Sequence, residues 1–322
     1  MKETNYAFAV ANVRANENKL LSQSDMEQLI GSQNIKTALT FLTDKGYGEI
    51  KNGDYEETLN SNLYETWELI KSIAPDKSVL DFLLVKNDYH NLKAVIKSTL
   101  SQRSNKGCFV KPCTVDIELI KTALQSGNYD ALPEYIKEDL TSAYELAART
   151  SDGQLTDALL DNRALKRARE LAQKTEDEFI IEYVEKITAI SNIKIALRGV
   201  RTQRDSVFFD ISLCPCDTLD IFVLKSVAQK SEADLIEYLE KTDYASCTEY
   251  IKESNTAFEK WCENTLMAYM ENAKTQTFGV APIIAYYYAK ETEIKNIRIV
   301  LSCIYNELPK EKIYERMRKL YV

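Results

Sequence analysis

Cys214-Pro215-Cys216 sets two thiols within three residues, a spacing that invites redox or metal chemistry. The usual dithiol motif has two intervening residues, and zinc sites commonly recruit histidines, whereas His90 is the only histidine in the chain. Seven cysteines, an odd number and otherwise scattered, make no disulfide framework and read as the reduced thiols of a cytoplasmic protein. Asp157 and Asp161 stand four residues apart on a helical pattern. A magnesium-dependent helical cyclase needs an Asp-Asp-x-x-Asp run, which is missing, so this pair reads as a solvated face. Gly46-Tyr47-Gly48 lacks the following Lys-Ser/Thr of a phosphate loop and reads as a helix end. Carboxylate pairs mean little among 49 acidic residues. No constellation favours catalysis, and no cofactor or metal is expected.

What remains is surface chemistry. Arg198, Arg201 and Arg204 recur every three residues toward the end of a long helical pattern, and Lys310, Lys312, Arg316, Arg318 and Lys319 crowd the C-terminal stretch. Cations near a helix C-terminus gain roughly 0.3–1 kcal/mol from the macrodipole, which accounts for part of these groups. Contact with an anionic partner accounts for the rest. With 41 basic and 49 acidic residues the net charge is −8, which argues against a broad nucleic-acid-binding surface. Nineteen tyrosines, Tyr286-Tyr287-Tyr288 among them, fit core boundaries or interfaces. Met1-Lys2-Glu3-Thr4-Asn5 has no signal-peptide character, and the longest apolar run, Val280 to Ala289, is broken by Pro282 and falls short of the roughly 20 residues that span a bilayer. A cytoplasmic chain with no direct membrane insertion is expected.

The elements that carry these side chains are helices: only nine glycines and six prolines interrupt a composition rich in Leu, Ala, Lys, Glu and Ile. One helical unit recurs. Asn91-Leu92-Lys93-Ala94-Val95-Ile96 returns as Asn192-Ile193-Lys194-Ile195-Ala196-Leu197 and as Asn296-Ile297-Arg298-Ile299-Val300-Leu301, at spacings of 101 and 104 residues (192 − 91 and 296 − 192). Tyr89, Leu92 and Ile96 align with Ile190, Ile193, Leu197 and with Ile294, Ile297, Leu301, each set on one helical face. Lys93, Lys194 and Arg298 point away from that stripe. A fainter copy, Asn12-Val13-Arg14-Ala15, implies a circular offset of the repeat. A second element, Leu39 to Asp44 followed by Tyr47, returns as Ile236 to Asp243 followed by Tyr244, with Leu132-Pro133-Glu134-Tyr135-Ile136 as a diverged middle version.

Long helices are expected at 54–74, 77–102, 134–150, 153–174, 177–203, 255–275 and 283–306, with shorter ones near 25–30, 34–44, 115–126, 217–229, 232–241 and 310–321. Ser24-x-x-Glu27, Thr175-x-x-Glu178 and Ser231-x-x-Asp234 read as capping boxes. Ser206 to Ile211, the one β-favouring stretch of note, reads as an apolar connector. Breaks include Asn52-Gly53 and the segment from Ser104 to Pro112. The expected fold is all-α with three similar helical bundles at 1–110, 111–213 and 214–322; the offset leaves open whether the C-terminal segment joins the first.

The run from Asp81 to Lys93, the run from Tyr286 to Arg298, the ending Leu308-Pro309-Lys310-Glu311-Lys312-Ile313 to Leu320-Tyr321-Val322, and the opening Tyr6 to Arg14 resemble the C subunit of the bacterial and archaeal V/A-type ATPase, counterpart of the d subunit of the eukaryotic V-ATPase. The resemblance runs end to end, with Glu185-Lys186-Ile187-Thr188 marking the most diverged third. It implies three bundles around a pseudo-threefold axis forming a funnel. It also implies a non-catalytic rotor adaptor that sits on the cytoplasmic face of the membrane proteolipid ring and holds the foot of the central stalk. Arg198, Arg201, Arg204 and Arg298 are the candidate partner contacts, and Asn91, Asn192 and Asn296 the structural marks of the repeat. A free-standing helical scaffold for another partner is the competing reading, and an all-helical lyase the third.

Overall fold

A computed structural model describes residues 6–50, 54–101, 108–150 and 152–322. Sequence readings touching residues 1–5, 52–53 and 102–107 lie outside the described residues. Among the described residues there is no strand; the chain is all-α. In order, the helices are α1 (Ala7–Glu17), α2 (Gln23–Ile30), α3 (Ile35–Leu42), α4 (Tyr55–Ile73), α5 (Val85–Ser101), α6 (Ile117–Ser126), α7 (Glu134–Thr150), α8 (Gly153–Thr175), α9 (Glu178–Arg201), α10 (Ser206–Ser212), α11 (Ile221–Ala228), α12 (Glu232–Leu239), α13 (Cys247–Glu253), α14 (Asn255–Glu271), α15 (Ala281–Tyr305) and α16 (Lys310–Arg316). A short 3-10 turn, Ser78–Leu83, leads into α5.

The contacts divide the chain into two compact units, residues 1–77 with 246–322 and residues 78–245. In the continuous unit α8 packs against α5, α7, α9 and α10. Its core joins Tyr89, Leu92, Val95 and Ile96 of α5 to Ile120 and Leu124 of α6, Ile136 and Leu140 of α7 and Leu160 of α8. In the two-segment unit α15 packs against α1, α3, α4, α14 and α16. There Ile294, Ile297, Val300 and Leu301 meet Met26, Leu29 and Ile30 of α2 and Leu42 and Leu59 from α3 and α4. The residues aligned by the sequence repeat, including Ile190, Ile193 and Leu197, are all buried. Each such side chain contributes about 1.5–3 kcal/mol through burial, so the stripes determine which helix face turns inward.

Short polar side chains set the helix starts by accepting free N–H groups of the first turn. Asp152 accepts from Gln154 and Leu155, Asp205 from Phe208, and Asp220 from Phe222 and Val223. Two caps fall two residues from their expected places. Ser22, paired reciprocally with Asp25, caps α2 in place of Ser24, and Asp177 caps α9 in place of Thr175. The stretch expected to be a connector is helix α10: the Asp205 cap initiates it, and Phe208 and Phe209 are buried with their rings 5.5 Å apart edge to face. Helices α1 and α13 fall outside the helix ranges expected from spacing, and neither begins with a side-chain cap.

Candidate docking surface

The three repeated asparagines are fully buried and make the same pair of main-chain hydrogen bonds. Asn91 donates Nδ2 to the Val110 carbonyl (3.0 Å) and accepts the Val110 N–H at Oδ1 (2.9 Å). Asn192 does the same with Cys214 (2.7 and 2.9 Å), and Asn296 with Arg318 (2.9 and 2.8 Å). A buried carboxamide has one acceptor and one donor end to satisfy, and a main-chain residue supplies the complementary pair. Each asparagine therefore clamps a non-helical segment downstream of its helix, beyond α10 for Asn192 and beyond α16 for Asn296.

A carboxylate on the same helix also accepts main-chain N–H groups, from the clamped connector in the first two cases and from the N-terminal segment in the third. Asp88 accepts the N–H of Thr114 (2.7 Å) and of Val115 (3.3 Å) and the Thr114 hydroxyl; burial pushes its pKa up despite those donors. Glu185 accepts the N–H groups of Asp217 (2.7 Å) and Thr218 (2.8 Å) and pairs with Arg169. Burial works to raise its pKa, but the hydrogen bonds from Thr218 and Arg169 prevail and hold it below the usual glutamate value. Glu293 accepts the Leu21 N–H and the Tyr47 hydroxyl and pairs with Lys290 at 2.7 Å. Gly46 and Gly48, at φ +89° and +86°, bracket Tyr47 in left-handed backbone that only glycine adopts freely. Tyr244, its partner in the second sequence element, reaches the Thr218 hydroxyl at 2.9 Å.

The register of the connectors coincides. Six residues beyond Val110 and Cys214 stand Asp116 and Asp220, the caps of α6 and α11. In the two-segment unit Asn296 clamps Arg318 while Glu293 holds Leu21, which is buried as Val115 and Leu219 are and is followed by Ser22, the cap of α2. The N-terminal segment and α15 thus belong to one compact unit.

Three of the four arginines singled out by sequence are engaged within their own units. Arg201 grips Glu232 with Nε at 2.9 Å from Oε2. Arg204 meets Asp152 at 3.3 Å and stacks over Phe208, 5.0 Å from the ring centre. Arg298 joins Glu56 (2.9 Å) and Asn60 (2.6 Å). Arg198 is exposed and has no ion pair with a described residue. It lines a groove of about 410 Å³ in the continuous unit. One wall is α5 with the turn before it, the other is α9, and the floor is α8 through Ala164, Leu165 and Ala168. Phe82, Leu83, Tyr183 and Val184 make one end apolar, while Lys93, Lys194 and Arg198 make the other basic, with Lys86 and His90 between them. Lys93 is also paired with Asp161, and Lys97 with Asp157 at 2.7 Å, so these acids form a ladder between α8 and α5. Composition and spacing do not single out Lys86, His90 or Asp161 for docking. The recurrence of Lys93 and Lys194 just after the repeated asparagines is the one available signal.

Little else offers chemistry. Burial pushes the Cys214 thiol up to about 11 and raises Cys216, opposite to the shift that activates a thiol. Among the described residues no group of His, Cys, Asp and Glu could hold a metal ion, and no helix is long and apolar enough to cross a membrane.

A family model for the ATP synthase (C/AC39) subunit matches residues 9–316. The chain is 23% identical over 317 residues to the C subunit of the V-type sodium ATPase of Enterococcus hirae, covering 96% of this chain and 97% of that protein. It is 25% identical over 341 residues to the C subunit of the A-type ATP synthase of Methanocaldococcus jannaschii (96% and 85% covered). Against the corresponding A-type ATP synthase protein of Pyrococcus furiosus it is 24% identical over 343 residues (98% and 90%). With a match that takes in all three clamping asparagines and nearly every helix, this all-α chain belongs to the ATP synthase (C/AC39) subunit family.

Proposed function

We propose that the chain is a non-catalytic rotor adaptor of a V/A-type rotary ATPase. It docks on the cytoplasmic face of the membrane proteolipid ring and holds the foot of the central stalk, so that ATP hydrolysis or synthesis is coupled to proton or sodium transport. The division into three bundles near residues 110 and 213, arranged as a funnel about a pseudo-threefold axis, belongs to this reading. The observation that carries it is the clamp made three times by Asn91, Asn192 and Asn296. A part that transmits torque must keep its helices and connectors in register under load, and dense packing with doubly bonded connectors resists such slippage. Membership of the subunit family supplies the machine in which that stiffness has a use.

The test is capture of the tagged chain from membranes of its source cell. Co-recovery of proteolipid and central-stalk subunits is expected. A chain that emerges with neither, and with some other stoichiometric partner, is a free-standing scaffold and the proposal fails.

A further inference from the structure

Tyr47 is the one buried side chain in an otherwise exposed strap. The chain leaves α3 through a widened helical turn, Thr43–Tyr47, and every residue from 43 to 49 is exposed except Tyr47, at 3%. Its hydroxyl donates to Glu293, which also takes the Leu21 N–H. Lys290 donates to the same hydroxyl (3.0 Å) and to Glu293 (2.7 Å), with its Nζ 4.3 Å from the centre of the Tyr47 ring. Lys290 and Glu293 are themselves buried. Burial, and after it the Glu293 charge, pushes the Tyr47 pKa well above the ordinary tyrosine value, so the phenol stays a donor. The flanking glycines answer to backbone conformation and not to space. A Cβ at Gly46 or Gly48 would meet nothing within 4 Å, yet Gly46 sits at φ +89° and Gly48 at φ +86°, ψ 174°, a region essentially closed to other residues. Tyr244, the counterpart in the second sequence element, is also buried but stands between Asp243 and Ala245, neither at positive φ. On its outer side Tyr47 lines an open pocket of about 280 Å³ with Glu57, Asn62 and Glu65, which leaves room for the strap to lift.

We infer that residues 43–49 form a latch, with Tyr47 as its bolt and Gly46 and Gly48 as its hinges, that opens while α4 and α15 stay packed. Two glycines released from fixed conformations gain more chain entropy than other residues would, which favours opening here before the helices part. Opening admits water to the Lys290–Glu293 pair, and the wetted carboxylate exchanges the Leu21 N–H for solvent. Lys45, which meets Asp25 of α2 at 2.5 Å, lifts with the strap. The latch thereby sets how firmly the N-terminal segment is held to α15 within their unit. Nothing in this device depends on the rotor-adaptor reading.

The test is native-state hydrogen exchange of the full chain, read at the amides of residues 44–47 and of Leu21 and compared with residues 294–301 of α15. Tyr47→Phe keeps the ring and removes the hydroxyl; it should speed exchange at 44–47 and at Leu21 by at least about tenfold and leave 294–301 unchanged. Gly48→Ala strains the closed strap without touching the bolt and should act in the same way. Lys45→Ala removes only a partly exposed ion pair and should change these rates less than about threefold. In the wild type, exchange at 44–47 should be insensitive to low urea, because the opening uncovers little surface. An equal rise at 294–301, or a Tyr47→Phe chain that does not fold, makes Tyr47 part of the cooperative core and overturns the latch. So does unchanged exchange in Tyr47→Phe, which would mean that the hydroxyl holds nothing. A rise in Lys45→Ala matching that of Tyr47→Phe would assign the strap to the surface pair, and amides at 44–47 already unprotected in the wild type would mean that no latch is closed; either result also overturns it.

Discussion

An asparagine on the inward face of a helix is costly unless both ends of its carboxamide are bonded, and Asn192 meets that demand with the N–H and C=O of Cys214. Asn192→Leu keeps the branched shape, adds bulk, and strands both main-chain groups in a buried place, so it should destabilise by about 2–4 kcal/mol. Asn192→Asp keeps the acceptor, loses the donor and brings a charge into the core, and should be at least as damaging. Urea denaturation measures both, and a loss below about 0.5 kcal/mol for the leucine variant would mean the clamp holds nothing. Glu185 adds a pH dependence whose sign follows from its depressed pKa. Its stabilising contribution is fully present above the ordinary glutamate value of 4.5 and disappears as pH falls through the lower folded value. The stability gap between wild type and Glu185→Gln should therefore be widest above the ordinary glutamate value and narrow as pH falls below it. A gap that widens on acidification would show that the hydrogen bonds from Thr218 and Arg169 do not dominate at this carboxylate.

At the scale of elements, α10 depends on a close approach to α9. A Cβ placed at Gly199 would lie 2.4 Å from Cζ and 2.5 Å from Cε1 of the buried Phe209 ring, so glycine here is required by space. Gly199→Ala should cost about 1–3 kcal/mol through overpacking. It should also raise amide exchange selectively in Ser206–Ser212, and unchanged exchange there would show that α10 is held by its Asp205 cap alone. The same pair of elements marks the limit of what local pattern reveals. Tyr89, Leu92, Ile96 and their counterparts are recognisable because a 3-4 spacing is enforced within one helix and every copy faces a core. Ser206 to Ile211 misleads because Val, Phe and Ile favour strands in isolation, and the Asp205 cap together with the tertiary slot beside Gly199 makes the helix preferable. The Ser24 and Thr175 boxes are displaced by two residues because nearby Ser22 and Asp177 offer equivalent capping oxygens. The groove is not legible at all: Lys86, Asp161 and Arg198 come from three helices far apart in sequence. Likewise, nothing local tells that Arg298 will find Glu56 or that Arg201 will find Glu232.

At the scale of the whole molecule, the circular offset ties the two ends of the chain into one unit. Arg318 is the residue that Asn296 clamps, Glu293 holds Leu21, and Tyr314 bonds Glu27 at 2.6 Å across 287 residues of sequence. Arg14 of α1 adds hydrogen bonds to the carbonyls of Ala273 (2.6 Å) and Gln276 (3.1 Å). Leu320 and Met317 belong to the same core as Met26, Leu29 and Ile297. Removing residues 318–322 therefore deletes little surface yet leaves the Asn296 carboxamide unpaired and opens the core beside α2. The continuous unit, residues 78–245, has its own core and its own clamps at Asn91 and Asn192, none of which involve the deleted residues. Truncation should consequently split unfolding into two steps, with amides of α2, α3 and α15 losing protection first and those of α5 to α9 retaining it. Hydrogen exchange under native conditions distinguishes the outcomes. Protection lost evenly over both units would mean that the molecule behaves as one cooperative body. Protection lost nowhere would mean that the third clamp, unlike the other two, does not hold its connector.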